Sequence, residues 1–482
     1  MTKVNAKETI AFVLVLLVAI VALSILNLPV LKLPITGDDT WGATAVLGNP
    51  LDVLVFNLRW DLHPPLYYLL LDVWALISRS DIWLRANSMF FHALLVSSVF
   101  LYTSKRRSLT EALIATILVF SSPLLLEYSG RIRMYSLLAL LSFVQFVLVS
   151  EYSKGNDKLF KWIMINAVVI LCSHAIGILF VFFHFCYGLP YLYKNRKQLV
   201  VWSITHFSIF LLSLPVIANS AIKSVGHAIK PDITAVIEFM QGILILDYLY
   251  LAIIPLVFIL LSLRYPESRN IIICYLVLPV VFYFAISHLI KPLWLERNFI
   301  FALPPIYIAL AGVIVKLPLN RLLKLSLPGV IVVANLWGFI HKNKPEEPIA
   351  FSRVVEVVSE SFSHSNNKVC VVAENTLNTF WSLQRYLNGV NWGHPLEKQP
   401  PVEGRWAQIS KQLPAPIVDL LALNPAPSYT ENKHFVLSAG LGDRCFKNDI
   451  EKTLLITDRK SETGGYDVIY RDSYYTVFDW TQ

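Results

Sequence analysis

From Thr9 to Leu31 the chain runs through 23 residues without a charge. At about 1.5 Å per residue, a helix of that length exceeds the roughly 30 Å of a bilayer's hydrocarbon. In hydrocarbon every backbone polar group must be satisfied internally, which leaves helices and closed barrels as the only spanning structures. Lys3 and Lys7 precede the stretch. It is longer than the core of a signal peptide and carries no small-residue cleavage site, so it is expected to remain as a first span with its N-terminus inside. Uncharged stretches recur at about 86–103, 112–126, 134–150, 162–193, 198–222, 248–263, 271–290, 298–315 and 325–341. The stretch at 162–193 is too long for one span, and its centre, "CSHAIG", supplies small and polar residues for a turn. Divided there, the pattern predicts an all-α polytopic membrane protein with about 11 transmembrane helices.

Charge locates the end of that membrane part. Charged residues make up 15% of the chain, against about a quarter in soluble proteins. Residues 1–341 hold 42 of them and the last 141 residues hold 32, a soluble density. The expected domains are therefore a transmembrane catalytic domain at 1–341 and an extracytoplasmic, periplasmic mixed α/β domain at 342–482. The net charge of +8 divides into +10 before Lys342 and −2 after it. Lys and Arg concentrated in cytoplasmic loops account for this excess, and no nucleic acid is needed to explain it.

Orientation follows from the same residues. With the N-terminus inside, residues 1–8, "SKRRS", "EYSKGNDKLFK", "KNRKQ", "RYPESR" and "KLPLNRLLK" face the cytoplasm and hold 16 Lys and Arg, against 10 in the longer outer loops. Counting "PPLYYLLLDVWALIS" (64–78) as a further span would invert every later loop, so this segment, which contains Asp72, is expected to lie at the interface. The expected location is a bacterial inner (cell) membrane, crossed many times, with the C-terminal domain outside. In that domain "KVCVVAE", "HFVLSAG" and "YDVIYRDSYYTVFDW" read as strands and "NTLNTFWSLQRYL" as a helix. Cys370 and Cys445 both fall there, where an oxidising compartment permits a disulfide.

Acidic residues gather on the outer side, which directs attention to three outer segments. The first outer loop contains the adjacent pair Asp38 and Asp39, then Arg59, Asp61 and His63 followed by Pro64 and Pro65. The second is "EYSGRIRMYSL", with Arg131 and Arg133 suited to forked contacts with phosphate oxygens and Tyr128 and Tyr135 beside them. The third contains His288, Lys291, Trp294, Glu296 and Arg297. His174, in "CSHAIG", falls at an outer hairpin. Each segment alone also fits a solvated loop or an interfacial anchor. Together they supply a carboxylate that can accept a proton from a nucleophile and cations that can stabilise a departing phosphate. Attack on a sugar carried by a lipid phosphate needs that combination.

In this order "GDDTWG", "DLHPPLYYLLL", "RIRMYSLLALL", "SHAIGILF" and "ERNFIFALPPIYIALAG" resemble the bacterial GT-C glycosyltransferases. These polyprenyl-phosphate-sugar-dependent enzymes include protein O-mannosyltransferases and aminoarabinose transferases. The resemblance covers roughly residues 5–340, and Asp38-Asp39 stands where the family usually has Asp-Glu. It implies transfer of a sugar from a polyprenyl-phosphate-linked donor to an extracytoplasmic glycan, lipid or protein acceptor, by inverting direct displacement. By this analogy Asp38 is the base and Asp39 its second. Asp61 and His63 shape the acceptor or donor site, and Arg133, Tyr135 and Arg297 hold the lipid phosphate, with Arg131 and Lys291 as weaker candidates. The resemblance implies no cofactor, although adjacent acids offer oxygen ligands of the kind that Mg²⁺ or Mn²⁺ takes. The alternative weighed against it is a transporter or flippase of a lipid-linked glycan. Transporters carry internal repeats and mid-membrane charges, whereas here the charges gather at one face.

Overall fold

The computed structural model describes residues 6–46, 48–60, 63–192, 196–223, 228–244, 253–318, 320–342, 346–363, 368–373, 429–431, 435–439, 450–458, 467–471 and 475–479. In chain order the helices are α1 (Ala6–Leu31), α2 (Asp39–Thr44), α3 (Pro50–Trp60), α4 (Leu66–Trp74), α5 (Asp81–Arg106) and α6 (Leu109–Ser121). There follow α7 (Pro123–Ser129), α8 (Tyr135–Tyr152), α9 (Phe160–Ser173), α10 (Gly177–Leu192), α11 (Arg196–Lys223) and α12 (Ile233–Leu244). The last are α13 (Ile253–Leu263), α14 (Pro266–Ile272), α15 (Leu278–Leu289), α16 (Leu303–Lys316), α17 (Arg321–Lys342) and α18 (Glu346–Ser363). A π-helical segment, Ile273–Val277, joins α14 to α15.

The chain divides into two compact units. The first comprises Met1–Leu28, Leu62–Tyr67 and Arg85–Lys344; the second comprises Pro29–Asp61, Tyr68–Leu84 and Pro345–Gln482. Among the described residues, six helical segments are long and apolar enough to cross a membrane: α1, α5, α8, the Arg196–Pro215 part of α11, the continuous Pro266–Leu289 and the Leu322–His341 part of α17. The pair α6 and α7, bent by 57°, makes a seventh if it is one span, and α10 and α16 are shorter apolar helices. Val18 (68% exposed), Leu212 (79%) and Val333 (67%) turn large apolar side chains outward from α1, α11 and α17. Such surface is unfavourable in water at roughly 25 cal/mol per Å² and is at home in lipid.

At the centre of the first unit lies α16, buried without interruption from Leu303 to Ile314. It packs on α6, α8, α13 and α14. Its small residues let neighbouring groups come close to its backbone. A Cβ on Gly312 would stand 2.5 Å from Nη1 of Arg107, whose guanidinium pairs with Glu111 at 3.3 Å and Glu267 at 3.6 Å. Elsewhere one buried amide pair is matched by partners, which lowers the cost of burial in a low dielectric. Asn166 donates to Gln145 Oε1 and to the Leu141 carbonyl, both at 2.9 Å, and Gln145 donates to the Ile163 carbonyl. The long stretch at 162–193 divides where its turn residues predict. The helix α9 ends at Ser173 and α10 starts at Gly177, and a Cβ at Gly177 would lie 2.8 Å from the Ile170 carbonyl oxygen.

In the second unit the strands are β1 (Lys368–Ala373), β2 (Tyr429–Glu431), β3 (Phe435–Ala439), β4 (Ile450–Asp458), β5 (Asp467–Arg471) and β6 (Tyr475–Asp479). They form one sheet in the order β2-β3-β1-β4-β6-β5. The central β1 runs parallel to β3 and β4, and the outer pairs are antiparallel. Val371, Leu454, Ile456 and Val477 are fully buried, and α18 lies against β1, β5 and β6. "KVCVVAE", "HFVLSAG" and "YDVIYRDSYYTVFDW" thus supply β1, β3 and the β5–β6 pair. The helix expected over "NTLNTFWSLQRYL" and one half of the Cys370–Cys445 pair, Cys445, lie outside the described residues.

Candidate active site

In the first unit, residues from four separate parts of the sequence meet in one aromatic and cationic cluster. The turn Gly130–Met134 links α7 to α8, and Tyr135, the first residue of α8, is buried. Its ring lies 4.4 Å from that of Tyr128 on α7. Asn27 of α1 holds this turn in place, donating to Ser129 Oγ at 3.1 Å. A Cβ on Gly130 would collide with the same Asn27 side chain, so only glycine fits. From α5, Ser88 donates to the Arg133 carbonyl at 3.2 Å.

His174 leaves α9 in extended conformation (φ −157°, ψ 137°). Its Nδ1 accepts from the Ile176 backbone N–H at 3.0 Å, so a neutral ring carries its proton on Nε2. The His174 ring lies 5.6 Å from Tyr135 and meets the buried His63 edge-on at 4.7 Å. Arg297 completes the group from the 3-10 turn Glu296–Phe299 ahead of α16. Its guanidinium stands over the Tyr135 ring at 5.8 Å and hydrogen-bonds the Tyr128 hydroxyl. Asn298 Nδ2 donates to the Leu293 carbonyl at 2.8 Å and the Tyr283 hydroxyl to the Asn298 carbonyl at 3.3 Å, which fixes the loop that presents Arg297.

The sequence-predicted residues divide accordingly. His63, Tyr135, His174 and Arg297 meet, and Tyr128 joins them. Arg133 is buried two residues before Tyr135. Arg131 is exposed and pairs with Glu127 at 3.7 Å. Among the described residues no side-chain contact draws Lys291 into the cluster; its backbone N–H donates to the Ile286 carbonyl. Asp61 lies outside the described residues. Partial desolvation raises the Glu296 carboxyl above its ordinary value although the residue is exposed, helped by the like charges of Glu127 and Glu238. Sequence reasoning missed Asn27, Ser88 and Asn298, of which Asn27 gave the clearest signal as an amide in an apolar span.

The acid pair belongs to the second unit. Gly37 adopts φ +55°, a conformation that glycine takes without steric cost. Asp39 N–H donates to the Thr36 carbonyl at 3.2 Å, closing a turn into α2. The two carboxylates then differ in environment. Asp38 is exposed and makes no side-chain cap bond to the helix, whereas Asp39, the first residue of α2, is buried. Downstream of α2, the Gly48 N–H donates to Asp72 Oδ1 of α4 at 2.7 Å.

Chemically, the first cluster offers a forked cation held against a phenol face and two imidazoles. Such a set suits an anionic, oxygen-rich ligand. The exposed Asp38 offers a carboxylate accessible to a hydroxyl or amine.

No family model matches the chain, and no curated protein matches it. Solved structures do. The apo form of ArnT from Cupriavidus metallidurans matches with a TM-score of 0.62 at 12% identity, over 98% of both chains. The same enzyme bound to undecaprenyl phosphate matches with a TM-score of 0.60 at 11% identity, again over 98% of both. An oligosaccharyltransferase from Archaeoglobus fulgidus aligns over 92% of this chain and 68% of its own, at 14% identity and a TM-score of 0.47. The chain shares the fold of ArnT.

Proposed function

We propose that the chain is a membrane glycosyltransferase that takes a sugar from a polyprenyl-phosphate donor and passes it to an extracytoplasmic acceptor. The observation that carries this reading is the match to ArnT along almost the whole of both chains, the C-terminal part included. That ArnT has been captured with undecaprenyl phosphate supports a donor of the same lipid type. The cluster around Arg297 supports it independently, because it offers forked and hydroxyl donors to a phosphate.

On this reading eleven spans cross the inner membrane, the N-terminus is cytoplasmic, and residues 342–482 form a domain on the far side. Each of the eleven expected stretches holds a helix. Arg297, Arg133 and Tyr135 bind the lipid phosphate and stabilise the charge it gains as the glycosidic bond breaks, and Tyr128 steadies Arg297. Asp38 takes the acceptor's proton as its oxygen or nitrogen attacks the anomeric carbon. Asp39, buried at the start of α2, orients the backbone that presents Asp38. His63 and His174 line the site and hold the ring of Tyr135.

The deciding experiment reconstitutes the purified protein with undecaprenyl-phosphate sugars and follows release of undecaprenyl phosphate by mass spectrometry. Mass spectrometry of envelope glycans and glycolipids, with and without the gene, identifies the acceptor. Donor consumption with Asp38→Asn equal to that of the unmutated protein would remove Asp38 as the base. No consumption of any lipid-linked sugar, together with unchanged glycans, would remove the transferase reading itself.

A further inference from the structure

Where α5 and α8 end, cations and carboxylates are matched. Lys105, in the last turn of α5, pairs with Glu8 at 2.7 Å, and Arg106 pairs with Glu151 of α8. Lys154, just past α8, reaches the same Glu151 at 3.0 Å. A few residues further along the chain the balance changes. Lys158, Lys161, Arg196 and Lys197 are all exposed, and among the described residues none of the four pairs with a carboxylate. The acid next to Lys158, Asp157, is turned to a neutral partner: Gln198 Nε2 donates to its Oδ1 at 2.9 Å.

That bond also brings the four cations together. It ties the 3-10 turn Asp157–Leu159, which leads from α8 into α9, to the first turn of α11. Three aromatic rings close the same junction. Tyr152 of α8 stacks on Trp202 of α11 at 5.7 Å, and Phe160 of α9 lies 6.3 Å from Trp202. Trp202 is fully buried, and its indole N–H donates to the Phe185 carbonyl of α10. The starts of α9 and α11 are therefore held side by side. Beyond the cations both helices turn apolar side chains outward: Trp162, Ile165 and Val168 on α9, and Val200, Ile204 and Phe207 on α11, between 48% and 61% exposed. Spaced three or four residues apart, each set makes a stripe along its helix. Lys161 Nζ stands 5.3 Å from the centre of the Trp162 ring, where the charged layer meets the apolar one.

We propose that this junction binds an anionic phospholipid, its phosphate held by Lys158, Lys161, Arg196 and Lys197 and its acyl chains lying on the outer stripes of α9 and α11. Charge complementarity argues for an anion, and the stripes argue that the anion carries acyl chains. A soluble anion would use the cations and leave the stripes without a partner. Both α8 and the Arg196–Pro215 part of α11 are long and apolar enough to cross a membrane, which sets the four cations at a membrane boundary. On the proposed orientation that boundary is cytoplasmic, the side on which anionic lipids give the leaflet its negative surface potential. The site is distinct from the Tyr135 cluster. Tyr135 opens α8 and Tyr152 closes it, so 18 residues, or about 27 Å of helix, separate the two. The proposal rests on charge and packing at this junction and not on the transfer chemistry.

The test gives the full-length protein, delipidated in detergent, equal amounts of phosphatidylglycerol and phosphatidylcholine with matched acyl chains. Native mass spectrometry counts the lipid retained. The unmutated protein should retain phosphatidylglycerol preferentially. Lys161→Gln with Lys197→Gln should lower that preference at least about tenfold, since each cation near a charged lipid surface contributes about fivefold. Arg264→Gln with Arg269→Gln removes two exposed cations elsewhere in the first unit and should leave the preference unchanged. All four replaced side chains are exposed, so folding is expected to survive; equal thermal transitions in phosphatidylcholine check it. No preference in the unmutated protein, or an equal loss in both double variants, would overturn the proposal, the latter because the preference would then belong to overall charge. So would displacement of phosphatidylglycerol by inorganic phosphate, which would make the ligand a free anion. Arg297 is unchanged in every protein compared and no readout depends on turnover, so the glycosyltransferase reading can fail while this one stands.

Discussion

Arg297→Gln is the substitution that weighs most on the proposed phosphate site. It removes a guanidinium that stands 5.8 Å over the Tyr135 ring and hydrogen-bonds Tyr128. A hydrogen bond to a charged partner contributes about 1.5–3 kcal/mol. With 1.36 kcal/mol per decade, its loss should weaken undecaprenyl phosphate binding roughly 10- to 150-fold. Arg297→Lys keeps the charge but loses the fork and part of the contact with the ring, which is worth about 0.5–1 kcal/mol at a half-open site. It should fall between the two, at roughly 5- to 20-fold. Tyr128→Phe removes only the hydroxyl that steadies the guanidinium, about 1 kcal/mol or fivefold. Because that hydroxyl acts through Arg297, the double variant Arg297→Gln with Tyr128→Phe should be no weaker than Arg297→Gln alone, within about twofold. Titration of undecaprenyl phosphate by native mass spectrometry measures all four proteins without knowledge of the sugar. An Arg297→Gln protein that binds within twofold of the unmutated one would refute the phosphate role. Strictly multiplicative losses in the double variant would refute the coupling to Tyr128.

Asp38→Asn should abolish donor consumption while leaving lipid binding and the thermal transition unchanged, because the side chain is exposed. Asp39→Asn should lower the thermal transition as well as turnover, because its carboxylate is buried; equal melting of the two variants would contradict that division. Gly312→Val should destabilise by at least about 2 kcal/mol, since its side chain displaces the Arg107 guanidinium from between Glu111 and Glu267. Thermal unfolding in lipid measures this. Because the Glu296 carboxyl is raised, its favourable contribution is present at acid pH and is lost as pH rises through that raised value. Glu296→Gln should therefore raise the melting temperature at neutral pH and leave it unchanged below the ordinary glutamate value of about 4.3. The same shift at both pH values would argue against that account.

Long uncharged runs made the helical architecture legible, because hydrocarbon leaves a segment few ways to satisfy its backbone. The α9–α10 break was equally legible, since "CSHAIG" interrupts apolar residues with ones that turn. Short helices outside those runs were not. By sequence α2 and α3 read as part of a loop, and α12 and α18 carry no long uncharged run that marks them. Their formation depends on packing, which single-sequence propensity represents poorly. The strand β4 was missed for a related reason. "EKTLLITD" is a brief apolar run that becomes recognisable as a strand beside β1 and β6. For the candidate site, the residue types pointed to His63, Tyr135, His174 and Arg297, but nothing in their spacing says that two imidazoles meet edge-on. Nor does "DD" reveal that one carboxylate is exposed and its neighbour buried. That difference arises from the positive φ of Gly37 and the turn it closes.

The sheet has a consequence for how the chain matures. Its central strand β1 pairs on one side with β3, Val371 opposite Leu437, and on the other with β4, Val371 opposite Leu454. β3 begins at Phe435 and β4 at Ile450, long after β1 ends at Ala373, and both pairings are parallel, so no hairpin can nucleate them. Closing such long loops before any contact rewards it makes this kind of assembly slow. While the nascent chain waits, "KVCVVA" has two unsatisfied edges, the condition under which strands pair with the wrong partner. Synthesis of β3 and β4, rather than emergence of β1, sets when this sheet can form.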